Sequence, residues 1–187
     1  MYNGKQIINL NSTTRLDVHV QLSEVKHNLH IESEETEDDA AITSLIEAAA
    51  TAAKSYTDHY FAHTELVYFG YNFSEEYYKM RVSPFESLVS FETSDDGIIW
   101  TDITSTIDVE KRESDFTLHF ESLVESDYVR FTIRTGYDVD EMPEDAKSAI
   151  IIKASDLFDT ERSSYITKLT NQRTFETLLG AYVNARW

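Results

Sequence analysis

The sequence predicts an α+β protein: a small bundle of about four helices, drawn from both chain ends, with an inserted antiparallel β-sandwich-like domain. Two observations lead to this fold class. Near both ends of the chain, apolar residues recur at the three- and four-residue spacing of a helix face. Over the middle of the chain they alternate with polar residues, as in strands. The predicted boundaries are residues 1–63 and 137–187 for the helical domain and 64–136 for the β domain.

The first two predicted helices flank an acidic segment. Ser23 can cap a short helix from Glu24 to about Ile31, and residues 32–39 after it are mostly Glu and Asp. The second helix, from about Glu37 to Phe61, has the clearest apolar face in the chain. That face contains Ile42, Leu45, Ile46, Ala49, Ala52, Ala53, Tyr56 and Tyr60.

Seven short strands are predicted between residues 64 and 136. Residues 116–121 and 129–134 show the alternation most clearly, with Phe, Leu, Val or Ile at every second position. The sequence Ser94-Asp95-Asp96-Gly97 is typical of a hairpin turn, after which Ile98 to Ile103 is expected to return as a strand. Turn signals at regular spacing favour an antiparallel sandwich or barrel.

Two further helices are predicted at the C-terminal end. Pro143 suits the first turn of the third helix, which extends to about Phe158. Ile151 and Ile152 widen its apolar face beyond one stripe, so this helix is expected to contact something on two sides. The fourth helix is predicted from about Arg173 to Asn184.

Composition excludes several classes of function. The 16 Lys and Arg residues against 34 Asp and Glu residues give a net charge of −18, which repels nucleic acid phosphates and anionic membrane surfaces. The absence of cysteine removes disulfides, thiolate nucleophiles and thiolate–zinc sites. No apolar run approaches the roughly 18 residues of a membrane span, and residues 1–10 lack the pattern of a signal peptide.

Two groups of residues have the composition of metal ligands. His59 and His63 have the i, i+4 spacing of a helical zinc pair, but Tyr60 occupies the position where metalloproteases carry glutamate. The acids of residues 32–39 could bind calcium, yet they lack the alternating pattern and the glycine of an EF-hand loop. Surface histidines and a solvated acidic loop are the preferred interpretations, so no metal or cofactor is expected.

Asp95, Asp96 and Asp102, close to Trp100, invite comparison with the paired carboxylates of glycosidases. A hairpin turn explains Asp95 and Asp96 without catalysis. Glycine-rich phosphate loops and Gly-x-Ser-x-Gly motifs are absent from the sequence. The chain is therefore not expected to be an enzyme.

Several stretches resemble phage head–tail connector (adaptor, or head-completion) proteins. Residues 22–31 read L-S-E-V-K-H-N-L-H-I and are followed by acids, and residues 42–49 read I-T-S-L-I-E-A-A. Together they are similar to the family's first helix, acidic loop and second helix. Gly136-Tyr137 and residues 142–150 resemble the start of its third helix, and residues 178–182 resemble its C-terminal segment. The resemblance covers roughly half of the chain.

The resemblance implies a structural virion protein that forms a ring, typically of twelve subunits, docked under the portal protein. The ring would complete the head after DNA packaging and join it to the tail or to the next neck protein. It would be located in the neck of the virion, and in the host cytoplasm during assembly. Packaged DNA would pass through its channel without sequence-specific binding. The expected subunit interface contains Ile151 and Ile152. The expected portal-binding residues are Phe175, Leu178, Leu179, Tyr182, Arg186 and Trp187.

A second resemblance leaves an alternative open. Residues 94–100, S-D-D-G-I-I-W, and residues 128–131, Y-V-R-F, are similar to strands of discoidin-like domains. The alternative function is a carbohydrate-binding adhesion module. An exposed Trp100 with measurable glycan binding would favour it, and a Trp100 buried in the sandwich would count against it.

Overall fold

The structure is a computed structural model, which describes residues 6–15, 20–112, 114–138, 141–158 and 165–183. The described residues form four α-helices and an antiparallel sheet of six strands, so the predicted α+β class is confirmed. No helix among the described residues combines the length and the apolar character needed to cross a bilayer.

The chain divides into two compact units. Met1–Leu16 and His63–Gly136 form one, here called the sheet unit. Asp17–Ala62 and Tyr137–Trp187 form the other, here called the helical unit. Whether each unit is a separately folding domain stays a prediction.

The helical unit contains four α-helices packed around an alanine-rich core. The second and third helices meet through small side chains, which allow their backbones to approach closely. Ile42, Ala49, Ala53, Ala146 and Ala149 are all buried in this core. The helices are α1 (Leu22–Leu29), α2 (Asp39–Thr57), α3 (Glu144–Phe158) and α4 (Tyr165–Leu179), and a short 3₁₀ turn, Gly180–Tyr182, follows.

The start of α1 differs from the prediction. The N-cap residue is Gln21 and not Ser23, and the helix begins at Leu22. The Gln21 N–H donates to Glu24 Oε2 at 2.9 Å, which satisfies one of the free donors of the first turn.

The sheet unit contains six described strands. They are β1 (Ile7–Arg15), β2 (Thr64–Met80), β3 (Phe85–Ser94), β4 (Thr101–Asp102), β5 (Ile107–Lys111) and β6 (Phe116–Thr135). They form one continuous antiparallel sheet with the strand order β1-β2-β6-β3-β4, and β5 pairs with the first part of β6. The two longest strands are β2, with 17 residues, and β6, with 20 residues.

Aromatic rings fill the interior of the sheet unit. The Phe91 ring on β3 lies 5.2 Å from the Phe131 ring and 5.2 Å from the Phe120 ring. The Phe73 ring of β2 lies 5.6 Å from that of Phe91. Phe120 belongs to the first part of β6, which pairs with β5, and Phe131 belongs to its last part, which pairs with β3. The two parts of the sheet therefore pack face to face, as in a sandwich.

The number and length of the strands differ from the prediction of seven short strands. The predicted strands around residues 66–71 and 78–82 are parts of one strand, β2, which stays continuous through a register shift between Glu75 and Tyr77. Residues 116–121 and 129–134 are likewise both parts of β6. A bulge lets a strand bend without ending, so the polar stretches inside β2 and β6 do not end these strands.

Strand β1 is absent from the sequence prediction. It pairs antiparallel with β2 at the edge of the sheet, and eight of its nine residues are exposed. Gly70 lies between Ile8 and Val129 in one row across three strands. Because glycine has no side chain, its two neighbours can approach closely enough for this pairing. A Cβ atom added at Gly70 would lie 2.7 Å from Ile8 Cγ1, 2.9 Å from Val129 Cγ2 and 3.1 Å from the carbonyl oxygen of Ile7.

Replacing Gly70 with alanine should loosen β1 from the sheet. The added methyl group overlaps its neighbours on both adjacent strands, and such overpacking costs about 1–3 kcal/mol of unfolding free energy. Urea denaturation measures the loss, and amide exchange should show faster exchange in β1 than in the native protein. Gly180→Ala is the matched control, because nothing lies within 4 Å of its added Cβ. Equal stability of the two variants would contradict the prediction.

Candidate functional site

A buried lysine fixes the shape of the acidic segment between α1 and α2. The side chain of Lys26 is only 4% exposed, and its Nζ donates to Asp39 Oδ1 at 2.9 Å. It also donates to the backbone carbonyls of Ser33, at 3.1 Å, and of Glu35. Three oxygens from one short segment therefore converge on one cation, which satisfies all three ammonium donors.

This arrangement presents carboxylates to solvent in a fixed pattern. Glu32, Glu34, Glu35, Glu37 and Asp38 are all exposed, while the backbone between them is held by Lys26. Among the described residues no group of three or more His, Cys, Asp or Glu side chains has an arrangement that could hold a metal ion. The segment is thus a structured anionic surface.

A recess lies between α1 and α3 in the helical unit. It has a volume of about 550 Å³ and is lined by Ser23, Glu24, His27, Asn28, Ser148, Ile151 and Ile152. Ile151 and Ile152, the residues expected at a subunit interface, are partly exposed here, and Ile151 also packs against the unit's own core. The Glu24 carboxylate at its edge pairs with Lys147 Nζ at 2.7 Å.

The predicted portal-binding residues fall into three groups. Phe175 and Leu179 are buried in the core of the helical unit, at 3% and 0% exposure. Leu178 and Tyr182 are partly exposed. Arg186 and Trp187 lie outside the described residues. Phe175 and Leu179 thus stabilise the protein's own fold, and in this conformation they offer no surface to a partner.

An aromatic cluster with two hydrogen bonds secures the 3₁₀ turn that follows α4 against α3. The Tyr182 hydroxyl donates to Asp145 Oδ1 at 2.6 Å. Burial and this bond to a carboxylate raise the pKa of Tyr182. His59 Nε2 and the Tyr137 hydroxyl share a hydrogen bond of 2.8 Å, and the His59 ring lies 5.6 Å from those of Tyr137 and Tyr182. His59 therefore serves packing, and its Nε2 is engaged by Tyr137.

Lowering the pH should destabilise the protein through His59. Burial lowers the pKa of His59 from 6.5 to about 4, so the folded state keeps this ring neutral while the unfolded state takes up a proton. Stability is therefore lost as the pH falls from about 6.5 towards 4, by about 2 kcal/mol between pH 7 and pH 5. Urea denaturation at the two pH values measures the loss. His59→Gln, which cannot titrate, should remove about that much of the pH dependence; an unchanged slope would contradict the assignment.

The loop after β3 exposes two isoleucines. Ile98 and Ile99 are 81% and 73% exposed, the highest values among the exposed large hydrophobic residues of the described chain. Asp96 Oδ1 accepts hydrogen bonds from the backbone N–H of Ile98 at 2.7 Å, from that of Ile99 at 2.8 Å and from the Ser94 hydroxyl at 3.0 Å. These bonds lower the pKa of Asp96. Residues 95–99, here called the tip loop, form this hydrogen-bonded turn where the sequence predicted a strand beginning at Ile98.

Asp102 is also a turn residue. Its Oδ1 accepts hydrogen bonds from the Thr104 hydroxyl and from the Thr104 N–H at 2.8 Å, and these bonds lower its pKa. A glycosidase acid needs a raised pKa so that it can donate a proton at neutral pH. Asp96 and Asp102 have the opposite shift, which argues against the glycosidase interpretation.

Trp100 is partly exposed on the aromatic face of the sheet. The Arg130 guanidinium carbon lies 4.4 Å from its ring centroid, and Arg130 is held in turn by Glu92 through hydrogen bonds of 2.5 and 2.9 Å. The Phe69 ring meets Trp100 edge to face at 5.9 Å. Because Arg130 occupies one face of the indole, a sugar could not stack on that face. The carbohydrate-binding alternative stays a prediction.

Sequence reasoning missed two of these features. Lys26 lies within the resemblance motif, but nothing in its local pattern indicates that it is buried among oxygens from residues 33–39. Ile98 and Ile99 were expected to belong to a strand. A usable signal was present, because Asp-Gly after Ser-Asp favours a side-chain-capped turn.

Solved structures of known assemblies share the fold over almost the whole chain. One chain from the neck of an empty gene transfer agent (GTA) particle, computed with C6 symmetry, matches with a TM-score of 0.72 at 12% identity. A chain from the neck of a native GTA particle, computed with C12 symmetry, matches with a TM-score of 0.68 at 12% identity. A third, from the virion of the native GTA particle, has a TM-score of 0.70 at 11% identity. Each match covers 97% of both chains.

The sequence comparison with family models matches a smaller part of the chain. Residues 19–83 match the family model described as phage gp6-like head-tail connector protein. No curated protein sequence matches the chain. The fold is thus that of the GTA chains, an α+β architecture shared at low sequence identity. The family match of residues 19–83 confirms the resemblance to phage head–tail connector proteins that the motifs of α1 and α2 indicate.

Proposed function

We propose that the chain is the subunit of a homo-oligomeric ring in the neck of a phage-like particle. The ring docks on the portal protein, completes the head and joins it to the tail or to the next neck protein. The observation that carries this proposal is the shared fold over 97% of the chain with chains of GTA necks, combined with the family match of residues 19–83. The C12 symmetry of one of those necks supports a ring of twelve.

The role is structural and not enzymatic. A ring subunit needs defined surfaces for its neighbours and no reactive groups. The polar residues that invite a catalytic or metal-binding interpretation each have a structural role. Asp96 and Asp102 hold turns, and His59 packs in the helical unit.

The protein would be made in the host cytoplasm and reside in the neck of the finished virion.

The acidity of the chain suits passage of DNA. At a net charge of −18, a channel wall built from this protein repels phosphates instead of binding them. The anionic segment of residues 32–38 is well suited to such a wall, because Lys26 holds its backbone and the carboxylates point to solvent. DNA would thus slide through without sequence-specific contacts.

The portal contact is proposed for the outer side of the C-terminal segment. Phe175 and Leu179 are committed to the helical core. Leu178 and Tyr182 are partly exposed, and Arg186 and Trp187 follow them in the sequence. These four residues form the proposed portal-binding set, and Phe175 and Leu179, which the resemblance also implied, are left out of it. A basic and an aromatic residue side by side are typical of interface hot spots.

Electron microscopy of the full chain mixed with its portal protein tests the proposal. We expect a ring of subunits beneath the portal. Truncation after Val183 should weaken portal binding about tenfold or more, because it removes Arg186 and Trp187 while leaving Phe175 and Leu179 in the core. Leu123→Ser is the control, since Leu123 is 49% exposed on the sheet unit. Absence of a ring from portal particles would refute the proposed function, and full binding by the truncated chain would refute the portal-contact residues.

A further inference from the structure

The tip loop displays an apolar pair on a stiff support. Asp96 receives three hydrogen bonds from within the turn, and Gly97, at a φ of 72°, lies against the Tyr128 ring. The backbone that carries Ile98 and Ile99 is therefore held in place. Since these side chains are 81% and 73% exposed, folding of the unit gains almost nothing from them.

Such a pair is best explained by a contact with another protein. Single exposed apolar residues are ordinary, but adjacent β-branched side chains on a fixed projection form a small knob. A knob of this kind needs an apolar recess on its partner, with hydrogen-bond donors near Asp95 and Asp96.

The chain itself carries a recess of this chemistry. The α1–α3 recess offers Ile151 and Ile152 as an apolar wall and about 550 Å³ of space. His27 and Asn28 are also among its lining residues and carry N–H groups, of which one Asn28 N–H already donates to Ser155 Oγ at 2.7 Å. Its one lining carboxylate, Glu24, is neutralised by Lys147 at 2.7 Å.

We propose that the tip loop of one copy inserts into the α1–α3 recess of a second copy. Charge supports this occupant. At −18, most of the surface repels a loop that carries Asp95 and Asp96, whereas the recess pairs its own acid and presents donors. Symmetry supports it too, because subunits of a cyclic ring contact each other through two different patches. The inference rests on the proposed ring and names the two sides of its subunit interface.

Engineered cysteines test the contact directly. The chain has no cysteine, so Ile99→Cys combined with Ile152→Cys introduces the only two thiols. Head-to-tail insertion places the thiol of one copy beside that of the next. Oxidation of the portal-bound protein should then give a ladder of covalent oligomers on a denaturing gel. The control pair, Leu123→Cys with Ile152→Cys, keeps the recess thiol and moves the other to an exposed position on β6.

The outcomes separate this inference from the proposed function. A ladder from the Ile99–Ile152 pair, and none from the control pair, supports the inference. A ring seen by electron microscopy without a ladder, or with disulfides closed only within single chains, overturns the inference and leaves the ring intact. The absence of any ring refutes both.

A second variant needs no cross-link. Ile98→Ser with Ile99→Ser removes the knob at positions where the side chains are mostly exposed, so the unfolding curve should not move. We expect the concentration needed for ring assembly to rise about tenfold or more. Assembly at the native concentration would overturn the inference.

Discussion

Replacing Phe91 with alanine should unfold the sheet unit at a much lower urea concentration than in the native protein. Phe91 is fully buried, and its ring contacts those of Phe73, Phe120 and Phe131. Truncating a core phenylalanine costs about 3–5 kcal/mol, since burial is lost and a cavity remains. The loss of unfolding free energy should lie near the upper end of this range, because Phe91 joins the two packed parts of the sheet.

The same variant tests whether the two units fold separately. Trp100 lies in the sheet unit, and Trp187 is the only other tryptophan of the chain. In a Trp187→Phe background, fluorescence follows the sheet unit, while the far-ultraviolet helix signal follows the helical unit. Phe91→Ala should shift only the fluorescence transition. If both transitions shift together, the units are one cooperative domain. Val89→Ala, also on β3 but 43% exposed, should change little.

Replacing Lys26 with methionine should release the acidic segment and destabilise the helical unit. Methionine keeps most of the aliphatic packing, but Asp39 and the carbonyls of Ser33 and Glu35 lose their shared donor. Breaking a buried ion pair from one side costs about 3–5 kcal/mol, and about 2–4 kcal/mol is expected here because Asp39 is 30% exposed.

Two measurements check the Lys26 prediction. Urea denaturation followed by the helix signal gives the free energy, and amide exchange should accelerate over residues 32–38. Lys54→Met is the matched control, since Lys54 is 40% exposed and its i, i+4 pair with Asp58 spans 3.4 Å. An exposed pair of this kind contributes about 0.3–0.5 kcal/mol. A Lys26 variant no less stable than the Lys54 variant would show that the buried cation is not needed.

Helices α1, α2 and α3 were predictable because their apolar residues lie on faces that the fold buries, whereas α4 begins at Tyr165 and not at about Arg173 as predicted. Ile42, Ala49 and Ala53 of α2 are buried, as the helical spacing predicts. Strand β1 gave no such pattern, because an edge strand with both faces near water has no apolar alternation to detect. The lengths of β2 and β6 escaped prediction for another reason: a bend at a bulge and a turn between strands share polar composition.

The candidate sites were harder to predict than the fold. Phe175 and Leu178 are both apolar residues of one helix, yet only Phe175 is buried in the unit's own core. A sequence shows that a face is apolar, but the tertiary packing decides whether that face meets the same chain or a partner. The same holds for charged residues. Lys26 is buried only because the fold brings residues 33–39 back onto its side chain.

Each unit is built from two separate stretches of the chain, and this arrangement sets the order in which the two units can finish folding during synthesis. The chain passes from one unit to the other after Leu16, Ala62 and Gly136. On the ribosome, β1 emerges before β2 and must wait for it, while α1 and α2 emerge long before α3, against which they pack. The sheet unit has all its strands once Thr135 has left the exit tunnel. The recess formed by α1 and α3 becomes complete only after α3 has followed, so a nascent chain whose sheet unit is already formed cannot yet offer that recess to a neighbour.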